Sequence, residues 1–387
     1  MFNKNWHNYC VISDVKMKLF YTGMMAAVLL LAGCSGVTKV TDIITQPTAR
    51  EVYKREFKDN EPAYSQWQSA YNTAVNDSLE ITLPYGEKGK FIPYSNTAYS
   101  YTFTLQEGEV LNASVIKDSV NQRVFLDVFE YKYLGFEHVE DAGTDDINLR
   151  FEPKATGVYK IIIQPELVAG SSFFISLTKE PLYGFPVSGK GNTDIGSFWG
   201  VDRDGGKRRH EGIDIFAKRG TPVVAVTDGT ISRTGNHGLG GKQVWQRAGL
   251  FGNALYYAHL DSIAVQPGMK VKTGDTLGFV GNTGNAKFTP PHLHFGIYKG
   301  GAVNPLPFVF KTKDILPGDY KRSFATASLK VKSKANLRQG PSVEHDIIGT
   351  LSKNEKVVLL GQHNDWLHIL TPENSKAFLH SNLVSEL

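Results

Sequence analysis

Two cysteines in 387 residues, Cys10 and Cys34, are too few for a disulfide framework. The chain also lacks any dense Lys or Arg run outside short linkers. Its formal charge is only +4, which excludes a nucleic-acid partner. The apolar run Met24 to Ala32 is too short to cross a bilayer, which takes about 20 residues. No fixed-period repeat is present, and that excludes a solenoid. What is present is a globular composition: 41% hydrophobic residues, 17 Tyr, 22 Phe and 38 Gly. This rules out disorder and favours turn-rich β structure. The length implies two or three domains.

The N-terminal run has the length of a signal-peptide core. It ends in Leu31-Ala32-Gly33-Cys34. These residues resemble the lipobox of bacterial lipoproteins, whose cysteine is diacylglycerated and becomes the mature N-terminus. The resemblance implies a signal peptide over residues 1–33, lipid attachment at Cys34 and a tether over 34–50. A buried helix that happens to end in Gly-Cys is the plainer alternative. Met17-Lys18 places a short basic segment directly before the apolar run and makes a better start than Met1. The mature chain then carries +2 and no thiol free of lipid. Ser35 follows the cysteine, which by resemblance to Gram-negative lipoproteins allows an outer-membrane location facing the periplasm. The expected place is the cell envelope, on a membrane anchor.

Residues 51–77 carry Tyr64, Trp67, Tyr71 and Ala74 at three-to-four spacing, the pattern of one buried helix face. Near residue 79 the period changes to two. Tyr99, Tyr101, Phe103 and Leu105 alternate with Ser100, Thr102 and Thr104. Further strands are expected at Val124–Phe129, Val158–Ile163 and Phe173–Leu177, separated by turn residues. Residues 51–180 thus read as a helical segment plus a β-sandwich-like accessory domain. The pattern is loosely similar to the small jelly-roll domains of secreted bacterial peptidases. No catalytic constellation appears here. A Pro/Gly-rich joint at 181–191 leads into a Gly-rich β block with five of the eleven histidines. A polar linker over 311–325 separates it from a third block of short strands, 326–387.

The middle block holds three motifs. In His210-Glu211-Gly212-Ile213-Asp214 a turn runs into a strand, and strand alternation puts His210 and Asp214 on one face. A carboxylate among Ile213, Ile215 and Phe216 is costly to bury unless something pairs with it. In Pro291-His292-Leu293-His294-Phe295 the two histidines share a face and the apolar residues face the core. Tyr256-Tyr257-Ala258-His259 puts another His at a strand end. Two His and one Asp make a zinc set with an open fourth position, the mark of a catalytic site. Two more imidazoles beside it are fit to move protons. Alternation turns Glu211 away into solvent. His138, His237, His345, His363, His368 and His380 read as ordinary surface or core polar groups.

Taken together, His-Xaa-Gly-Xaa-Asp, a later His after an apolar strand, and His-Xaa-His resemble the lysostaphin-type (LytM-type) zinc metallopeptidases. Gly196-Ser197-Phe198-Trp199-Gly200 with Arg203, Gly220-Thr221-Pro222-Val223, Val271-Lys272-Thr273-Gly274-Asp275 and Gly281-Asn282-Thr283-Gly284 extend the likeness over about residues 185–310. It implies that His210, Asp214 and His294 hold Zn2+ and that His259 and His292 assist catalysis, in unassigned order. It implies an antiparallel sheet with an open groove, and endopeptidase action on peptidoglycan. Cross-links of the D-alanyl–diaminopimelate kind, glycine bridges and stem peptides all stay open as the bond cut. The competing function is a catalytically silent wall-binding regulator of other cell-wall hydrolases; relatives that lose ligands behave so, and no ligand is missing here.

Ala335-Asn336-Leu337-Arg338-Gln339-Gly340-Pro341-Ser342 and Asp365-Trp366-Leu367-His368-Ile369 resemble a bacterial SH3-like domain, a small β-barrel that often binds wall peptides. Trp366 is read equally as a contact residue and as core. The whole is a mostly β, three-part protein whose expected partners are peptidoglycan and a membrane, through the lipid on Cys34. Whether the Gly235–Gly241 loop closes the groove, and whether an activator protein opens it, stay open.

Overall fold

A computed structural model describes residues 47–57, 60–95, 97–119, 121–143, 147–249, 252–312 and 322–387. Cys34 and the apolar run before it lie outside them. The chain divides into a unit ending at Glu61 and a unit from Pro62 to Leu387. In the first, a short helix, Ala49–Lys54, starts at Thr48 through a capping box. The Thr48 N–H donates to Glu51 Oε2 at 2.8 Å, and the Glu51 N–H donates to Thr48 Oγ1 at 3.3 Å. Ala49 and Arg50, which the sequence reading assigned to the tether, are therefore helical. No helix among the described residues is long and apolar enough to cross a membrane.

The second unit is mostly β and antiparallel. Its first part is a sandwich. One sheet orders Tyr99–Leu105, Gly157–Pro165, Val124–Lys132 and Gly135–Asp141. The other contains Tyr85–Lys90, Ser172–Pro181, Glu109–Lys117 and Asn148–Phe151. Tyr99, Tyr101, Phe103, Ile161 and Ile163 meet Leu111, Val115, Phe173 and Ile175 between the sheets. Alternation explains this layer, but Ile162, between Ile161 and Ile163, is buried as well. Helix Glu61–Asn76 accounts for it. The helix lies on the outer face of the first sheet, where Ala74 packs with Phe129 and Ile162. Trp67 donates to Pro165 O at 2.9 Å. The ammonium of Lys160 closes the helix by donating to the carbonyls of Val75 and Asp77, each at 2.6 Å. A cation at a helix C-terminus meets carbonyls that have no helical partner. Burial pushes the Lys160 pKa down to about 8, against the opposing pull of Asp77.

The middle part is built on one sheet ordered Lys270–Val271, Gly229–Asn236, Lys242–Ala248, Ala254–Ala258, His292–Tyr298, Ile213–Phe216 and Ile195–Ser197. A three-stranded sheet of Pro222–Val224, Thr276–Val280 and Leu260–Ile263 accompanies it. Ile213, Ile215, Leu255, Tyr257, Leu293, Phe295 and Ile297 form its core.

The third part has its own small core, including Leu329, Val331, Leu367, Ile369 and Leu379. It also continues the sandwich. Strand Lys356–His363 pairs with Tyr85–Lys90 in the register Lys88↔Gln362 and Gly89↔Gly361, so one sheet runs through both. Trp366 is half-buried and packs on the sandwich core, edge-on to His380 at 5.3 Å. At the joint the Glu87 carboxylate is wholly buried. It accepts from the hydroxyls of Tyr85 and Tyr101 and lies 3.2 Å from His368 Nδ1. His363 Nδ1 donates to Gly86 O at 2.7 Å. Gly361 is required beneath this group, because a Cβ there would run into the Glu87 carboxylate.

Candidate metal centre and cleft

The site begins with strand register. Asp214 on Ile213–Phe216 lies directly across from His294 on His292–Tyr298, and His294 lies across from Ala258 on the next strand. The flanking Ile213, Ile215, Leu293 and Phe295 point into the core, so Asp214 and His294 are turned to the other face. His210 arrives differently. The strand begins only at Ile213, so a turn brings His210 to Asp214; strand alternation does not. The His210 N–H donates to Val201 O at 2.8 Å, and its own carbonyl accepts from the Gly200 N–H at 2.9 Å. Gly212 makes the approach possible: a Cβ there would stand 2.6 Å from both His294 Cε1 and Phe295 O.

These residues bring three atoms together. His210 Nε2, Asp214 Oδ1 and His294 Nδ1 form a triangle with each side 3.0 Å. Among the described residues they are the group placed to hold a metal ion. His210 Nδ1 lies 2.8 Å from Phe198 O. A carbonyl only accepts, so Nδ1 carries a proton, and in the neutral ring Nε2 presents its lone pair. One proton on His294 Nδ1 serves two of the three acceptors; a cation serves all three. The dimensions agree, since zinc bonds of about 2.0–2.1 Å in a tetrahedron separate ligand atoms by about 3.3 Å. The donor set therefore fits zinc. Burial alone would raise the Asp214 pKa, but hydrogen bonds to His210 and His294 and their charges hold it well below the carboxylate range. Burial lowers the His294 pKa against the pull of Asp214.

His259 and His292 stand beside the triangle, their ring centroids 5.0 Å apart, with His259 5.8 Å from His294. His259 follows the end of strand Ala254–Ala258 and has φ 63°, a left-handed conformation uncommon outside glycine. Its N–H donates to Gly240 O at 2.8 Å, and its Nδ1 lies 2.9 Å from Thr283 O. His292 Nδ1 lies 2.9 Å from Pro290 O. Each ring therefore keeps its proton on Nδ1 and leaves Nε2 as an acceptor. Burial, then the charges of His294 and His292, pushes the His259 pKa down to about 4, so this ring is neutral at pH 7.

The five residues line one cleft of about 700 Å³. Leu239 and Gly240, from the loop left open in the sequence reading, form part of its wall. Trp245, Tyr256 and Tyr298 make an aromatic side, with the Trp245 ring 4.4 Å from Tyr256 and 5.2 Å from Tyr298. Sequence reasoning assigned these three no role. The signal for two of them was alternation: Tyr298 shares a strand face with His292 and His294, and Tyr256 shares one with Ala258. Glu211 is exposed, as read, but it also lines the cleft, as Tyr298 does. It belongs to the turn, where strand alternation has no force. His237 is engaged by Gln243 Nε2 at 2.9 Å and stays outside the set.

A three-atom donor set beside two oriented imidazoles, in an open cleft of an antiparallel sheet, is the arrangement of a metallopeptidase. Residues 208–305 match Peptidase family M23, and residues 333–385 match the bacterial SH3 domain; the chain carries one domain of each kind. It is 32% identical over 183 residues to the L-Ala--D-Glu endopeptidase of Bacillus subtilis (strain 168), covering 43% of this chain and 54% of the relative. It is 39% identical over 136 residues to the DD-carboxypeptidase/endopeptidase Mpg of Neisseria meningitidis serogroup B, covering 35% and 30%. The chain thus spans about half the length of the first relative and about a third of the second. Among solved structures, the catalytic domain of lysostaphin from Staphylococcus simulans is similar at 32% identity, covering 33% of this chain and 90% of that one, with a TM-score of 0.26.

Proposed function

We propose that the protein is a zinc-dependent endopeptidase that hydrolyses peptide bonds of peptidoglycan during cell-wall remodelling. The observation that carries the reading is the triangle of His210 Nε2, Asp214 Oδ1 and His294 Nδ1, each pair 3.0 Å apart, on the floor of an open cleft. Zinc, when bound there, supplies Lewis-acid polarisation of the scissile carbonyl and acidification of water. His259 and His292 move the proton. A neutral imidazole with its proton on Nδ1 accepts at Nε2 the proton of the attacking water as the C–O bond forms. The same Nε2–H then donates to the leaving nitrogen as the C–N bond breaks. The other ring, holding a proton on Nε2, would stabilise the oxyanion. The wall as substrate is supported by the endopeptidase activities for which the relatives are named and by the SH3 domain. The silent-regulator reading is not favoured, because every donor and both imidazoles are in place.

The test is incubation of the detergent-solubilised full chain with purified cross-linked peptidoglycan, followed by mass spectrometry of the fragments. Cross-linked dimers are expected to give way to monomers, or stems to be trimmed. A chelator should abolish the change and zinc restore it. An unchanged profile across several wall types, with zinc bound, would return the protein to the regulator class.

We also infer that Cys34 is lipid-modified and holds the enzyme at a membrane of the cell envelope, facing the wall. The run ending in Leu31-Ala32-Gly33-Cys34 motivates this, and more than one acyl chain is what makes such an anchor stable. In cells fed an alkyne fatty acid, the wild-type chain should take up label and Cys34→Ser should not. Equal labelling of both would refute the anchor.

A further inference from the structure

We propose that Arg203 is a positioning residue for the candidate metal centre, fixing which oxygen of Asp214 faces the donor triangle. The inference rests on reading His210, Asp214 and His294 as metal donors. The two oxygens of Asp214 are divided. Oδ1 lies 3.0 Å from both His210 Nε2 and His294 Nδ1, whereas Oδ2 accepts a hydrogen bond from Arg203 Nη2 at 2.7 Å. The same Nη2 donates to Ser197 Oγ at 2.7 Å. Ser197 is the strand partner of Asp214, and its Oγ lies 3.4 Å from His210 Nδ1. One guanidinium therefore holds the carboxylate and touches the hydroxyl beside a second donor.

The surroundings show that this contact is specific. Arg203 belongs to a small hairpin in which Asp202–Arg203 pairs with Arg208–Arg209. The other ion pairs of the hairpin stay within it: Arg209 with Asp202 at 2.8 Å and Arg208 with Asp204 at 2.7 Å. Those groups are largely exposed, and such pairs contribute little to stability. Arg203 alone reaches inward, to a carboxylate side chain only 10% exposed. A carboxylate so buried needs its second oxygen satisfied, and a charge-assisted bond from Arg does this with fixed direction. Without it the carboxylate is free to turn, and either oxygen, or both, can enter the triangle. Lysine would restore the charge but not the fixed direction of the planar guanidinium's N–H bonds.

The test measures zinc affinity of the full chain by competition with a chromophoric chelator, for wild type, Arg203→Gln, Arg203→Lys and Asp202→Asn. Loss of a hydrogen-bonding partner to a metal-binding side chain typically costs about 10–100-fold in affinity. Arg203→Gln should weaken zinc by that order and Arg203→Lys by less. Asp202→Asn, which breaks an exposed pair on the same hairpin, should leave affinity unchanged. The cobalt-loaded Arg203→Gln chain should show an altered visible absorption spectrum, which simple loosening of the hairpin would not produce. Wild-type affinity and an unaltered cobalt spectrum in both Arg203 variants would overturn the proposal. A wild-type chain that binds no zinc would overturn the donor-set reading, and the proposal with it.

Discussion

Alanine at His259 should lower peptide turnover by about 10²–10⁴-fold, the usual contribution of a positioned acid–base group, while zinc affinity is unchanged. The ring is not in the donor triangle; its Nδ1 is committed to Thr283 O and its Nε2 is left to exchange a proton. Because the backbone there sits at φ 63°, a second variant separates the imidazole from the conformation that carries it. Asn tolerates the left-handed region better than most residues, so His259→Asn should match His259→Ala in turnover. Fragment release from peptidoglycan, measured beside zinc affinity, checks both. Turnover near wild type in both variants would remove His259 from the mechanism. Loss of zinc together with turnover would move it into the metal site.

Glu87→Ala should destabilise the folded unit by about 1–3 kcal/mol, the cost of leaving buried hydrogen-bonding groups without their partner. Glu87 and His368 have no exposed surface, and the substitution leaves His368 and the Tyr85 and Tyr101 hydroxyls without their acceptor. The pair closes the joint between the sandwich and the SH3 domain, so denaturant should separate these parts at a lower midpoint. Burial would raise the Glu87 pKa, but His368 and the two tyrosine hydroxyls more than offset it, leaving it below its ordinary 4.5. The folded value is the lower one. The contribution is therefore present in full above the unfolded value and is lost as pH falls through the folded value. Denaturation midpoints of wild type and Glu87→Ala should converge in that acid window. Equal midpoints at pH 7 would show that the pair contributes nothing to the joint.

The joint also bears on Trp366, for which contact residue and core stood level in the sequence. The side chain packs on the sandwich core, as a residue at a seam between domains does. Any ligand of the SH3 domain would therefore meet a face other than the one pressed against the strand Tyr85–Lys90.

Much of the site could be read from the chain because it is written in strand periodicity. His292 and His294 alternate with Leu293 and Phe295, and the apolar pair must enter the core, so the imidazoles must leave it. Asp214 between Ile213 and Ile215 obeys the same rule. The rule failed at His210 and Glu211, which precede the strand and are placed by a turn. It was silent on Arg203, since nothing in the spacing of a hairpin says which of its four cations turns inward. In the sandwich, Tyr99, Tyr101, Phe103 and Leu105 announced their strand. Tyr85-Gly86-Glu87-Lys88-Gly89-Lys90 did not, having no alternating apolar pattern of its own.

By itself, then, the amino-acid sequence determined what periodicity and local chemistry can encode: a mostly β chain, a helix along Tyr64, Trp67 and Ala74, and one block with the donors and imidazoles of a candidate metal site. Tertiary structure alone decided whatever depends on partners far along the chain. Glu87 is buried because two strands far later in the chain reach it: Trp366–Leu370 supplies His368 to pair with it, and Lys356–His363 supplies Gly361 to make room. Ile162 is buried because a helix covers the far side of its sheet. The two oxygens of Asp214 differ because His294 and Arg203 approach them from different elements. Burial and pairing are properties of a place in the fold, and no stretch of sequence carries them until its neighbours arrive.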